Sequence, residues 1–108
     1  LKEIEECSLI DHVTNVIEPC FLKLALSLKD NKNIGEIRFV GAQCAITTEN
    51  SEIAIDIQRL AMEKAHLLTY GGGLSGECVM LLPPINISEE LLSDNLAKLT
   101  KIIQGRSP

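Results

Sequence analysis

The chain has 108 residues, enough for one small domain, and 45% of them are apolar, enough for a hydrophobic core. Its 15 acidic and 10 basic residues give a formal net charge of −5, and lysine and arginine form no cluster. Nucleic acid and anionic membrane surfaces are therefore excluded as expected partners, because both require a basic face. No apolar run approaches the length of a membrane span.

The four cysteines are widely spaced and form no CxxC pair: Cys7, Cys20, Cys44 and Cys78. This spacing favours buried, reduced thiols in a cytoplasmic protein. The alternatives are a disulfide, a zinc site or a reactive cysteine, although neither histidine is at ligand spacing from a cysteine. The N-terminal residues are acidic where a secretion leader would be basic, and the chain begins with Leu1, so we expect it to start within a larger reading frame or after processing.

The first predicted element is a helix that begins after Ser8 as its N-cap and ends in a polar turn closed by Gly35. Its apolar positions recur at helical spacing: Leu9, Val13, Val16, Ile17, Cys20, Leu24 and Leu28. Pro19 predicts either a kink or a break into two helices, and a kink is favoured because the stripe keeps its phase across the proline. Residues 36–48 then alternate with a period of two that shifts at Gly41, which predicts one bent strand, or two short ones, with Gly41 at the corner.

A second helix is predicted over residues 52–66, and a short strand over residues 67–70. The glycines at 71–73 predict a flexible or positive-φ turn, and a second short strand over residues 77–82 ends at a double proline. Ser88 caps the last helix, whose buried stripe is Leu92, Leu96, Leu99 and Ile103. This order predicts a single α+β domain over residues 1–108, with a small, mostly antiparallel sheet and helices packed on one side.

The sequence GGGLSG at Gly71–Gly76 lacks the Lys-Ser/Thr ending of a phosphate loop and precedes a strand. A turn whose shape matters is the favoured interpretation; a phosphate cradle and an ordinary hairpin turn are the alternatives. Glu77, beside the loop, either faces a ligand or is a charge at a strand edge. No nucleophile–base pair is recognisable, so no catalytic or metal-binding residue is predicted.

The run Leu81-Leu82-Pro83-Pro84-Ile85-Asn86-Ile87-Ser88-Glu89-Glu90 resembles the "LPPL.IS.EE" sequence before the last helix of class III pyridoxal-phosphate-dependent aminotransferases, the 4-aminobutyrate or ω-amino-acid group. Residues 34–42, IGEIRFVGA, resemble the "IG-x-V-R-G-x-G" strand of that family. The predicted first helix matches the position of a long helix in the family, so the resemblance extends over essentially the whole chain.

The resemblance implies that the chain is the C-terminal part of the small domain of a longer, fold-type I transferase. The missing large domain would hold the pyridoxal phosphate, its lysine and its other anchors, so this chain would contain no cofactor-binding residue and no activity of its own. The parent would be a cytoplasmic homodimer that moves an amino group between an amine or ω-amino acid and a keto acid. The small domain would close over the active site and form walls of the substrate pocket.

By the same resemblance, Gly71, Gly72, Gly73 and Met80 would lie nearest the substrate. The family commonly has an arginine at the position of Met80, as in "IRFLPP", where it grips a substrate carboxylate. Met80 implies a different substrate, a cation supplied by another residue, or lost activity. The family counterpart of Arg38 mostly lies at the entry to a strand, so the carboxylate-binding role is not assigned to Arg38. A stand-alone α+β binding or regulatory domain and a degenerate, non-catalytic homologue are the alternatives.

Overall fold

The computed structural model describes residues 9–65 and 69–105. In these ranges the chain forms three α-helices and a four-stranded antiparallel sheet with strand order β1-β2-β4-β3. The helices are α1 (Glu18–Leu28), α2 (Ser51–Ala65) and α3 (Glu89–Gln104), and the strands are β1 (Ile34–Val40), β2 (Gln43–Thr48), β3 (Tyr70–Gly72) and β4 (Cys78–Leu81). The α+β class predicted from the sequence is confirmed.

The first helix remains helical on both sides of Pro19, as the unbroken apolar stripe predicted. Residues 9–12 are helical, a π-helical turn spans Val13–Ile17, and α1 follows directly. Pro19 occupies the first turn of α1, where a residue without an N–H is tolerated. The irregularity is therefore a π-helical turn immediately before the proline, a common way for a helix to absorb an interruption. The predicted N-cap, Ser8, lies outside the described residues.

Gly41 is the corner predicted from the phase shift, and the two-strand alternative is the one observed. β1 and β2 form an antiparallel hairpin that pairs Val40 with Gln43, and Gly41 adopts a φ of +58° in the turn. A positive φ suits glycine because it has no Cβ to clash with the backbone. After this corner, Cys44 and Ile46 of β2 are fully buried.

The prediction that residues 71–73 form a turn is wrong for two of the three glycines. Gly71 and Gly72 belong to β3, where they pair with Val79 and Cys78 of β4. The turn lies farther along the chain, with φ values of +87° at Gly73 and +73° at Gly76. Pairing with β4 satisfies the backbone groups of the first two glycines, which outweighs their low strand propensity. Residues 66–68, part of the predicted helix and strand, lie outside the described residues.

The last helix agrees closely with its prediction. The Ser88 hydroxyl accepts a hydrogen bond from the N–H of Leu91 at 3.2 Å, which satisfies one of the free amides at the helix start. Two glutamates occupy the first turn and Lys101 the last, the arrangement that the helix dipole favours. The predicted stripe is buried: Leu92, Leu96, Leu99 and Ile103.

A single hydrophobic core lies between the helices and one face of the sheet. The first helix and the sheet contribute Ile17, Phe21, Leu24, Leu28, Ile34, Cys44, Ile46, Val79 and Leu81, and α2 and α3 close it. The rings of Phe21 and Phe39 meet at a centroid distance of 6.1 Å with a tilt of 53°, a favourable aromatic geometry. None of the helices in the described ranges is both long and apolar enough to cross a lipid bilayer.

Candidate functional site

The face of the sheet turned away from the helices carries a row of side chains that crosses all four strands. Arg38 pairs with Ala45, Ala45 with Met80, and Met80 with Tyr70. Successive residues of a strand point to opposite faces, and the neighbours Cys44, Val79 and Leu81 are buried against the helices. We call the opposite surface the open face; its members in the strands are Arg38, Val40, Gln43, Ala45, Thr47, Tyr70, Gly72, Cys78 and Met80.

Met80 and Gly72, both predicted to lie near a substrate, are in contact on the open face. A Cβ atom built on Gly72 would lie 3.0 Å from Met80 Cγ and 3.3 Å from Met80 Sδ. The Met80 side chain therefore leans across β3 into space that Gly72 leaves open. The structure therefore places these two residues, both predicted to lie near a substrate, side by side on the open face.

The other two predicted residues, Gly71 and Gly73, lie elsewhere. A Cβ on Gly71 would lie 3.4 Å from Gln58 Nε2, so this glycine faces α2 on the helix side of the sheet. Gly73 is in the turn, and a Cβ there would lie only 2.1 Å from Glu77 Oε1. These two glycines shape the path of the chain beside the open face and do not line it.

Glu77 closes the turn that follows β3. Its carboxylate accepts a hydrogen bond from the N–H of Ser75 at 2.9 Å, and its carbonyl oxygen accepts one from the N–H of Thr48 at 2.8 Å. The Thr48 hydroxyl donates to the same carbonyl at 2.7 Å. These contacts hold the turn against the end of β2, so Glu77 has a structural role beside the open face.

The cysteines in the described ranges are all free. Burial raises the pKa of the Cys44 thiol to about 12, so this residue stays protonated and unreactive at neutral pH. Cys78, on the open face, is 8% exposed and its Sγ lies 3.6 Å from Thr47 Oγ1. No group of three or more His, Cys, Asp or Glu residues within residues 9–65 and 69–105 has an arrangement that could hold a metal ion.

His12 has a structural role. Its Nε2 is hydrogen-bonded to the main-chain oxygen of Ile87, which ties the first helix to the segment between the double proline and α3. This contact gives His12 a role in joining two elements of the fold.

An apolar cavity lies beside the open face and shares Tyr70 with it. It has a volume of about 660 Å³ and lies between the double-proline segment and α3, among residues that include Phe21, Leu81, Pro83, Ile87, Leu91 and Leu96. Its lining contains no carboxylate, amine, thiol or imidazole. Apart from the phenol of Tyr70, its lining side chains are apolar or neutral, so the open face, which carries Arg38 and Met80, remains the candidate site.

Sequence reasoning did not find the cross-strand row that joins Arg38 and Tyr70 to Met80. The period of two in each strand indicates which residues share a face within that strand. It does not show which residues lie opposite each other on neighbouring strands, because that register depends on the turns and on the bulge between Ile34 and Ile37. Arg38 lies inside β1 and not at its start.

No protein-family model matches the chain. No curated protein matches it by sequence.

Solved structures do match. The ornithine aminotransferase of Plasmodium yoelii is 27% identical, with a TM-score of 0.79 over 94% of this chain and 27% of that chain. An aminotransferase of Bacillus anthracis is 18% identical, with a TM-score of 0.82 over 95% of this chain and 26% of that chain.

An omega transaminase of Pseudomonas jessenii, solved in complex with PMP, is 21% identical, with a TM-score of 0.75 over 96% of this chain and 25% of that chain. The chain thus spans about a quarter of the length of the enzymes it matches. The resemblance seen in the sequence is confirmed: over 94% of its length the chain has the fold of a segment of the class III, pyridoxal-phosphate-dependent aminotransferases.

Proposed function

We propose that this chain is the C-terminal part of the small domain of a pyridoxal-phosphate-dependent transaminase. The parent moves an amino group between an amine or ω-amino acid and a keto acid. The observation that carries the proposal is the match to ornithine aminotransferase, at 27% identity over 94% of the chain. The double-proline segment and the capped helix α3, which carry the sequence resemblance, are both formed in the structure.

In this proposal the open face forms part of the wall of the substrate pocket. Met80 presents an apolar surface, Gly72 gives it room, and Gly71 and Gly73 set the path of the strand and turn beside it. Closure of the small domain would bring this wall to the substrate and exclude water from the reacting atoms. The single core under the sheet gives the wall a rigid support.

The side chains of the open face are not of the kinds that would hold pyridoxal phosphate. No lysine or aspartate occurs in the strands of the described ranges, so we assign this chain no residue that holds pyridoxal phosphate. The cofactor supplies the electron-accepting chemistry of transamination, and the rest of the parent would hold it. This chain alone is proposed to be inactive; a homodimeric, cytoplasmic parent is part of the proposal and rests on the resemblance.

A degenerate, non-catalytic homologue is the second candidate, and Met80 is the observation that favours it. The thioether of Met80 cannot make the paired hydrogen bonds that an arginine makes with a carboxylate. An enzyme that needed this contact would bind its usual substrates weakly.

The test measures transamination by the full-length protein with added pyridoxal phosphate, with 4-aminobutyrate and n-butylamine as amino donors and several keto acids as acceptors. We expect turnover by the natural sequence. Met80→Arg should lower the KM for 4-aminobutyrate about 10-fold or more, because a charge-assisted pair forms on the open face. Met62→Arg, on the exposed side of α2, is the matched control and should change nothing.

Two results would count against the proposal. Absence of turnover with every donor, in both the natural sequence and Met80→Arg, would favour the degenerate homologue. Turnover by the natural sequence with no effect of Met80→Arg on the KM for either donor would show that residue 80 is not part of the pocket wall.

A further inference from the structure

Arg38 is on the same face of the sheet as Met80 and in the same cross-strand row. Only Ala45 of β2 stands between them. Neighbouring strands lie about 4.8 Å apart, so the Cα atoms of Arg38 and Met80 are separated by about 10 Å. The side chain of Ala45 ends at Cβ, so nothing taller rises between the two residues.

The guanidinium of Arg38 is available for an incoming ligand. Its side chain is 68% exposed, and its ion pair with Glu36 is long, with 3.9 Å between Nε and Oε2, and equally exposed. Such exposed pairs contribute little and exchange readily. The side chain can therefore turn from Glu36 toward Met80 without losing a strong contact.

Arg38 is the only lysine or arginine in the strands of the described ranges. Arg59, the other arginine there, lies on α2, where its guanidinium donates to Asp56 at 2.7 Å and to Glu63 at 3.1 Å. Arg38 is therefore the one cationic side chain that the described strands offer to a carboxylate on the open face. The planar guanidinium is suited to this task because it donates two parallel hydrogen bonds to a carboxylate.

We propose that Arg38 is the carboxylate-binding residue of the open face and supplies the cation that Met80 does not. The ligand is an ω-amino acid or keto acid whose carboxylate lies over Ala45, with its methylene chain against Met80. This inference rests on the proposed function for the identity of the ligand. It places the anion site two strands away from the position at which the resemblance put it.

The kinetic test compares Arg38→Gln with the natural full-length protein on two donors that differ only in a carboxylate, 4-aminobutyrate and n-butylamine. Loss of the charge-assisted pair should raise the KM for 4-aminobutyrate about 10- to 100-fold and leave that for n-butylamine unchanged. Arg38→Lys should restore part of the loss, because lysine retains the charge but not the paired hydrogen bonds. Arg59→Gln is the matched control and should affect neither donor. An equal effect of Arg38→Gln on both donors, or no effect, would overturn the inference.

A binding test does not depend on turnover. The full-length protein is labelled with [13C-methyl]methionine, and glutarate is the carboxylate probe. The Met80 signal is assigned through Met80→Leu, and Met62 on α2 is an internal reference. Glutarate should shift the Met80 signal saturably and leave that of Met62 in place, and Arg38→Gln should weaken this binding about 10-fold or more.

The two tests separate the failure of this inference from that of the proposed function. A saturable Met80 shift that depends on Arg38, in a protein without transaminase activity, supports the carboxylate site and refutes the enzyme assignment. No shift, or a shift of the same affinity in Arg38→Gln, refutes the role of Arg38 even in an active transaminase.

Discussion

Met80 and Gly72 show how one residue sets the conformation of another on the open face. A Cβ atom on residue 72 would lie 3.0 Å from Cγ of Met80. Real Cβ contacts are rarely this short, so an alanine at position 72 requires Met80 to move. The glycine is explained by this contact and not by a turn, since Gly72 is part of β3.

Gly72→Ala should therefore destabilise the protein by about 1 kcal/mol through overpacking. In a Met80→Ala background the same change should be neutral or stabilising, because alanine is a better strand residue than glycine once the clash is gone. A double-mutant cycle by urea unfolding measures the coupling between the two sites.

Gly35→Ala is the control for the intrinsic effect of alanine in a strand, because a Cβ at residue 35 meets Thr47 at an ordinary 3.6 Å. Equal free-energy changes for Gly72→Ala in both backgrounds would contradict the assigned contact.

At the scale of elements, the start of α3 is determined by a few neighbouring residues. The double proline ends the preceding strand, because proline cannot donate to the ladder. The N–H of Ile87 donates to the carbonyl oxygen of Pro84 at 3.0 Å, and Ser88 then caps the helix. These are local interactions, which explains why the boundary was predictable from sequence.

Ser88→Ala should reduce the free energy of unfolding by about 1 kcal/mol, because the N–H of Leu91 loses its acceptor. Ser88→Asp should retain most of the stability, since an aspartate also accepts at this position and its charge favours the helix start. Chemical denaturation followed by circular dichroism measures both. Equal losses in the two variants would show that the cap hydrogen bond does not stabilise α3.

At the scale of the whole molecule, the sheet and the helices share one core, to which every helix and three strands contribute. The side chains of α3 pack against α1 and α2, and the sheet covers the opposite side. An arrangement of this size should unfold as one cooperative unit.

Leu99→Ala should cost about 2–5 kcal/mol, because Leu99 is fully buried and its truncation leaves a cavity. Leu91→Ala, in the same helix but 53% exposed, should cost much less and is the matched control. Circular dichroism reports the helices and the [13C-methyl] signal of Met80 reports the sheet. Two separate transitions in Leu99→Ala would show that the sheet and the helices do not form one unit.

The predictability of each feature depends on the range of the interaction that determines it. The buried stripe of α3 and the corner at Gly41 follow from local periodicity and from the absence of a Cβ, and both are confirmed. The turn assigned to Gly71 and Gly72 was wrong because pairing with β4, a contact between separate segments, keeps these residues in a strand. The proximity of Arg38 to Met80 could not be predicted either, since it depends on the register between strands.

The sequence by itself determined the α+β class, the capped last helix and the resemblance to class III aminotransferases, because periodicity, caps and motifs are properties of neighbouring residues. The tertiary structure decided which residues share the open face. Hydrogen bonding between strands sets their register, and this register places Arg38, Ala45, Met80 and Tyr70 in one row. Met80 and Arg38 are far apart in the chain, and only the folded sheet brings them onto the same surface.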